Sequence, residues 1–130
     1  MAFKVFEKTS APLAKVPTVT IQKARVFSIS RSAHALIDSP AHVELLWDPE
    51  RSIVGFRATE ETNPNAFATR STSDTAPVIV AGAKFIDVYK IDASVSRRWV
   101  AYEEDGILCV DISEPGTLVT SNRSGRGASG

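Results

Sequence analysis

Three cations in the first third of the chain are the residues best suited to contact a partner. Lys23, Arg25 and Arg31 lie beside a strand-forming segment and the start of a short predicted helix. Ammonium and guanidinium groups attract phosphate oxygens whatever the base sequence, and salt weakens that attraction. The pattern predicts a DNA-binding site that holds the backbone phosphates of a duplex through these side chains. Solvated charges on an exposed strand are the alternative interpretation.

The charges are unevenly distributed along the chain. The formal net charge is zero, from 15 basic and 15 acidic residues, yet in residues 1–36 Glu7 is the only carboxylate against several cations. A nucleic-acid-binding protein needs a basic footprint. Such a footprint must here be confined to one face, and an evenly mixed surface is the alternative.

No group of residues has the types and spacing of a catalytic or metal site. His34 and His42 have no cysteine or second acidic ligand at metal-binding spacing, and Cys109 has no identifiable base beside it. The acidic cluster Glu103–Asp105 lacks the alternating oxygen ligands of a calcium loop. Neither a glycine-rich phosphate loop nor a nucleophile elbow is present. We therefore expect no enzymatic activity, no metal and no cofactor.

Trp47 and Trp99 lie in comparable apolar segments and are predicted to be core aromatics. Stacking of nucleobases on their rings is the alternative.

Length and cysteine content indicate one domain in a reducing compartment. The chain has 130 residues, the usual size of a single domain. One cysteine permits no intramolecular disulfide. No apolar run approaches the roughly 20 residues of a membrane span, and charges interrupt the N-terminus too early for a signal peptide. We expect a soluble cytoplasmic protein.

The first half of the chain is predicted to form strands, a helix and a hairpin. Residues 18–29 are one long strand or two short ones, interrupted at Lys23 and Arg25. Ser30 or Ser32 caps a helix over Ser32–Asp38. The sequence predicts that Ala33, Leu36 and Ile37 face inward on that helix. Residues 42–57 form a hairpin around a turn at 48–51.

The second half repeats this order. Strands are predicted over 66–70 and 78–80, and an amphipathic helix over 82–91. Phe85, Val88 and Tyr89 are expected to face inward on that helix. Asp105-Gly106 is a strong hairpin signal between strands at 96–102 and 107–112.

The predicted organisation is an N-terminal arm (1–17), one β-rich domain (18–113) and a flexible tail (114–130). The domain comprises two strand–helix–hairpin repeats, 18–58 and 66–112. Four pairs of residues occupy matching positions in the two repeats: Ile29 and Val80, His34 and Phe85, Trp47 and Tyr102, and Ile53 and Ile107. Two unrelated hairpins with helices between them are the alternative.

The strand–helix–hairpin order of both repeats, 18–58 and 66–112, resembles the AbrB/MazE-like swapped-hairpin family (SpoVT/AbrB). Residues 25–30, Arg-Val-Phe-Ser-Ile-Ser, are similar to the family's Gly-Arg-Val-x-Ile-Pro entry into the helix, and the hairpin 42–57 is similar to its closing pair. Ala24 replaces the glycine and Ser30 the proline. The resemblance implies a mainly β fold with short helices, in which both halves of a pseudo-dimeric barrel lie in one chain as a monomer or weak homodimer.

Two functions follow as expectations. The resemblance and the basic first third favour a non-enzymatic DNA-binding or transcription-regulatory protein. The neutral net charge and the absence of arginines from the helix favour, as the alternative, a protein–protein interaction or accessory module that binds no nucleic acid.

Overall fold

The computed structural model describes residues 16–73 and 75–119. Most of the predicted arm, and the predicted tail from residue 120 onward, lie outside the described residues. The described part contains these elements: β1 (Thr18–Ile21), β2 (Phe27–Ile29), α1 (Arg31–Ala35), β3 (His42–Asp48), β4 (Ile53–Ala58), β5 (Phe67–Ala68), β6 (Val78–Val80), α2 (Ala83–Val88), β7 (Arg97–Val100), β8 (Tyr102–Glu104), β9 (Ile107–Asp111) and β10 (Thr117–Leu118).

The strands form two five-stranded antiparallel sheets. Sheet 1 has the order β10-β7-β1-β2-β6, and sheet 2 has the order β5-β3-β4-β9-β8. The prediction of a mainly β fold with short helices is confirmed.

The first predicted strand region divides into two strands joined by a tight turn. The Gln22 amide donates to the Val26 carbonyl at 2.9 Å, and Arg25 has a left-handed φ of 65° inside the turn. Ser30 caps α1, because its hydroxyl accepts from the Ala33 amide at 3.2 Å. Ala33 is buried as predicted, but Leu36 is 41% exposed because the helix ends before it. The prediction that Leu36 faces inward was wrong.

The second helix is also shorter than predicted. It ends at Val88, and Phe85 is buried as expected. Val88 and Tyr89 are exposed, and Ile86 and Ile91 fill the core instead. The prediction for Val88 and Tyr89 was wrong because a helix of six residues presents only one turn to the core.

Both hairpin turns follow from local chemistry. Asp48 Oδ1 accepts from the amides of Glu50 and Arg51 at 3.0 and 3.2 Å. Asp105 and Gly106 have φ values of 55° and 80°, which match the two central residues of a type I′ turn. The predicted turns at both positions are confirmed, and so is the first hairpin. The strand predicted over 96–102 is instead divided: Arg97–Val100 lies in sheet 1, and Tyr102–Glu104 pairs with Ile107–Cys109 in sheet 2.

A single apolar core lies between the two sheets. In β1, β2 and β6 alternate residues are buried, as the period of two requires. In β4 and β9 runs of four and three successive residues are buried. Phe27 of sheet 1 meets Phe56 of sheet 2 edge to face, with ring centroids 5.2 Å apart. The buried core includes Val19, Ile21, Phe27, Ile29, Val43, Val54, Phe56, Val78, Val80, Leu108 and Val110.

The chain passes directly from one sheet to the other at two places. Ala101, which is 2% exposed, joins β7 in sheet 1 to β8 in sheet 2, and its amide donates to the Pro17 carbonyl at 2.9 Å. After β5 in sheet 2, Arg70 pairs with Ile79 at the edge of sheet 1. The two sheets are therefore interleaved along the chain.

The ordered domain extends beyond residue 113. Thr117 and Leu118, which the prediction placed in the flexible tail, pair as β10 with Arg98 and Arg97 of β7. The Trp99 indole Nε1 donates to the Glu114 carbonyl at 2.9 Å and so fixes the approach to β10. No helix among residues 16–73 and 75–119 is long and apolar enough to span a membrane.

Candidate functional site

The outer face of sheet 1 carries a row of five residues that begins and ends with an arginine, and Thr117 of β10 lies beyond the first of them. Arg98 lies opposite Thr20, and Thr20 lies opposite Ser28. Ser28 in turn lies opposite Ile79, which pairs with Arg70. Residues directly opposite one another share a face of the sheet. This face points away from the core, because the neighbours of these residues in each strand are the buried ones.

The two arginines at the ends of the row are well separated. Adjacent strands lie about 4.8 Å apart, so the four strand-to-strand steps from Arg98 to Arg70 place their Cα atoms roughly 19 Å apart. The residues between them are small or neutral. The strands fix this spacing, so the two charges are held apart with neutral residues between them.

Two shallow grooves lie on this face, one on each side of Gln22. The first has a volume of about 660 Å³ and includes Lys23. The second has a volume of about 420 Å³ and includes Arg70. The half-buried Gln22 lines both grooves.

The turn that begins at Gln22 is held on both flanks. On one side the Lys23 amide donates to Ser96 Oγ at 2.9 Å. On the other, Arg25 Nη1 donates to both carboxylate oxygens of Asp87 in α2, at 2.6 and 2.5 Å. The side chains of Arg25 and Asp87 are 49% and 57% exposed, so their ion pair contributes little to stability and serves mainly to orient the turn.

Arg31 is hydrogen-bonded to the loop after β5. Its Nη2 donates to Ser71 Oγ at 2.7 Å and to the Ser73 carbonyl. Ser71 and Thr72 line the second groove. Arg31 therefore fixes the loop that walls this groove.

The structure brings Lys23 and Arg25 together on the β1–β2 turn, whereas Arg31 lies beyond the opposite end of β2. Of the three predicted DNA-binding residues, only Lys23 has a side chain without a hydrogen bond to the described part of the protein. The sequence reading missed Arg70 and Arg98. Arg98 could have been found from the sequence. Successive side chains in a strand point to opposite faces of the sheet, so Arg98 points to the face opposite that of its apolar neighbour Trp99.

The chain matches no protein-family model, no curated protein and no solved structure. Its function must therefore be argued from its own geometry.

The remaining candidate residues are structural within the described part of the chain. His34 is 5% exposed, its Nε2 donates to the Pro40 carbonyl at 2.8 Å, and burial lowers its pKa. Burial raises the pKa of the Cys109 thiol. Trp47 stacks on Tyr89 with ring centroids 5.9 Å apart. Among residues 16–73 and 75–119, no cluster of three His, Cys, Asp or Glu side chains is arranged to hold a metal ion.

Proposed function

We propose that the protein is a non-enzymatic DNA-binding module that contacts duplex phosphates through the outer face of sheet 1. The observation that carries this proposal is the state of its cations. Lys23, Arg70 and Arg98 form no ion pair with any carboxylate that the structure describes. A surface whose positive charge is not neutralised internally attracts a polyanion.

The two arginines of the β3–β4 hairpin in sheet 2 behave differently. Arg51 pairs with Asp48 at 2.9 Å, and Arg57 pairs with Glu44 at 2.8 Å. Both pairs belong to the β3–β4 hairpin in sheet 2. The contrast supports sheet 1, rather than sheet 2, as the face that meets a phosphate backbone.

The contacts proposed here are independent of base sequence, and their strength depends on salt. Each phosphate contact releases counterions, so three such contacts give a slope of log K against log salt of about −2.7. A rise from 50 to 200 mM salt then weakens binding about 40-fold. The cytoplasm, where nucleic acid is accessible, is the location that accompanies this proposal.

Fluorescence anisotropy with a 20-base-pair duplex tests the proposal. We expect the Arg70→Gln/Arg98→Gln variant to bind more weakly and to reduce the salt slope by about 2. The matched control is Lys84→Gln/Lys90→Gln, which removes the same charge from α2 and the residues after it and should retain the wild-type slope. Absence of binding at 25 mM salt, or equal loss in both variants, would refute a site on sheet 1.

We further propose that the two segments are equivalent halves of a swapped-hairpin barrel. Reciprocal pairings support this: Phe27 and Ile29 of β2 face Val80 and Val78 of β6 around a central Ser28–Ile79 pair. Likewise, β4 and β9 pair around a central Gly55–Cys109 pair. β1 of the first half pairs with β7, and β5 of the second half pairs with β3.

This exchange is the arrangement that the resemblance to AbrB/MazE-like proteins implies. The hairpin register also refines the alignment. Leu46 lies opposite Gly55 and Tyr102 lies opposite Cys109, so Leu46 rather than Trp47 is the counterpart of Tyr102. Light scattering after size exclusion should give a monomer, because the covalent pairing of both halves replaces a dimer; an obligate dimer would contradict it.

A protein-interaction module is the second candidate function. It is favoured by the exposed apolar side chains Val88 and Tyr89, which are 60% and 46% exposed beside Trp47. Exposed apolar groups of this kind occur at binding surfaces. If this surface carries the function, Val88→Asp should abolish recovery of a protein partner, and the wild-type protein should bind no duplex DNA. If sheet 1 carries it, Val88→Asp should have no effect on either measurement.

A further inference from the structure

The antiparallel pairing of β1 with β7 continues beyond the ends of both strands. Thr18 lies opposite Val100 in the last paired position. The next position keeps the same register, because the Ala101 amide donates to the Pro17 carbonyl at 2.9 Å. Ala101 is the residue at which the chain passes from sheet 1 into β8 of sheet 2. The backbone that precedes β1 therefore follows its partner to the boundary between the sheets.

β8 presents an open backbone edge beyond that boundary. It is the last strand of sheet 2, and β9 is its partner among the described strands. Glu104 and Ile107 close the two-residue turn and so form a hydrogen-bonded pair. Because the two kinds of pair alternate, the N–H and C=O of Glu103 point away from β9. An edge of this kind is a template for one more strand.

The register of β1 and β7 determines which residues would lie along this edge. Continued by one position, it sets Val16 opposite Tyr102, and these two residues are 37% and 38% exposed. A β-branched residue opposite an aromatic one is a favourable cross-strand pair. Continued by one more position, the register sets Lys15, which lies outside the described residues, opposite Glu103.

The Lys15–Glu103 position matches in both backbone and charge. The pair Pro17–Ala101 is hydrogen-bonded, so the pair two positions further on is hydrogen-bonded as well. The outward N–H and C=O of Glu103 would thus meet the C=O and N–H of Lys15. Opposite charges directly across an antiparallel pair add to its stability.

Charge also decides between this segment and a second copy of the chain. Two β8 strands paired edge to edge would bring the carboxylates of Glu103 and Glu104 close to those of the other copy. Like charges directly opposite one another destabilise a strand pair. Residues 13–16 instead bring a lysine, and they are covalently joined to the position beside the edge, which gives them a high effective concentration there.

We infer that residues 13–16 form an additional strand on the free edge of β8, in the register that sets Lys15 opposite Glu103. This strand closes the edge of sheet 2 against other chains and offsets part of the negative charge of the β8–β9 hairpin. The inference goes beyond the proposed DNA binding and is independent of it, because Lys23, Arg70 and Arg98 belong to the other sheet or pair with its edge.

Amide hydrogen exchange of the full chain, followed by NMR, tests the inference. The Glu103 amide should exchange at least about 10-fold more slowly than an unstructured amide, because the Lys15 carbonyl accepts its hydrogen bond. Lys15→Glu should accelerate this exchange about 5-fold, since it replaces an attraction across the pair by a repulsion. The charge swap Lys15→Glu/Glu103→Lys should restore the protection, after correction for the intrinsic exchange rate of the new residue.

Lys8→Glu is the matched control. It makes the same change of charge in the same N-terminal region but outside the proposed strand, so protection of the Glu103 amide should stay at the wild-type level. The Tyr102 amide serves as an internal reference. Tyr102 pairs with Cys109 of β9, so its exchange should be the same in the wild type and in every variant.

A nuclear Overhauser effect measures the register directly. Ala14 and Glu104 would form a non-hydrogen-bonded pair, in which the Cα atoms lie about 4.5 Å apart. We therefore expect a strong contact between their Hα protons in the wild type and its weakening in Lys15→Glu.

Three results would overturn the inference. The first is a Glu103 amide that exchanges as fast as an unstructured one. The second is protection that Lys15→Glu leaves unchanged, or that Lys8→Glu reduces equally. The third is a contact of the Glu104 Hα proton with Leu13 or Lys15 in place of Ala14, which would show a different register.

Discussion

Replacement of Gly82 by alanine should disrupt the core where α2 begins. A Cβ at Gly82 would lie 2.8 Å from Phe27 Cδ2 and closer still to Phe27 Cε2, with Leu45 Cδ1 at 3.3 Å. The backbone does not require glycine here, since its φ of −108° is open to any residue. The cost of Gly82→Ala is therefore steric.

The surroundings of Phe27 determine the size of that cost. Its ring is fully buried and is packed edge to face against Phe56 at 5.2 Å and Phe85 at 6.0 Å. The ring cannot move away without displacing one of these neighbours. Overpacking a core costs typically 1–3 kcal/mol, and because the overlap is with a confined ring we expect about 3 kcal/mol. That corresponds to a fall in Tm on the order of 12 °C.

Urea and thermal unfolding monitored by circular dichroism measure this change. Gly106→Ala is the control, since a Cβ there meets no atom within 4 Å and the loss arises only from its positive φ of 80°. In the double variant Gly82→Ala/Phe27→Leu, the smaller side chain should relieve the clash, so the two changes should cost less together than their sum. A Gly82→Ala protein within 0.5 kcal/mol of the wild type would show that Phe27 is not confined as described.

Three further outcomes are expected. Burial lowers the pKa of His34, so the unfolded chain binds a proton at this imidazole more readily than the folded protein does. The free energy of unfolding should therefore fall as pH drops below about 6.5. Urea titrations at pH 7.5 and 5.5 should show this loss in the wild type and not in His34→Gln. Asp87→Asn should release Arg25 and change the free energy of unfolding by less than about 1 kcal/mol. It should also make the DNA salt slope more negative by about 1, and an unchanged slope would place Arg25 away from the DNA. Ser30→Ala removes an acceptor for two backbone amides, one of them the α1 cap, and should cost about 1–2 kcal/mol in thermal unfolding; a loss below 0.3 kcal/mol would contradict the capping role.

Local signals in the sequence predicted much of the fold. Asp105-Gly106 specifies its own turn through positive φ values, and the Ser30 hydroxyl caps α1 through a contact three residues away. Both depend on neighbours in sequence. The predicted helix lengths were wrong because α1 and α2 end after about one turn. The helical periodicity therefore placed Leu36 and Tyr89 in the core, where the structure does not.

The candidate site was harder to predict from the sequence, because the hydrogen-bond and ion-pair partners of its cations lie far away in the chain. Arg25 is joined to Asp87, 62 residues away, and Arg31 to Ser71, 40 residues away. A count of charges cannot distinguish these engaged arginines from Arg98, whose direction is fixed by its strand. The position of Gln22 beside both grooves depends on segments distant in sequence, such as Ser96 and Arg70, that only the fold brings together.

The pairing of β1 with β7 sets a condition on how the protein is made. Thr18 can pair with Val100 only after Val100 has left the ribosome. At a synthesis rate of about 5–20 residues per second, this delay is about 4 to 16 s. β4 must likewise wait for β9. A nascent chain stalled before residue 97 therefore holds apolar strands with open edges, which makes it a substrate for chaperones and prone to aggregation until synthesis is almost complete.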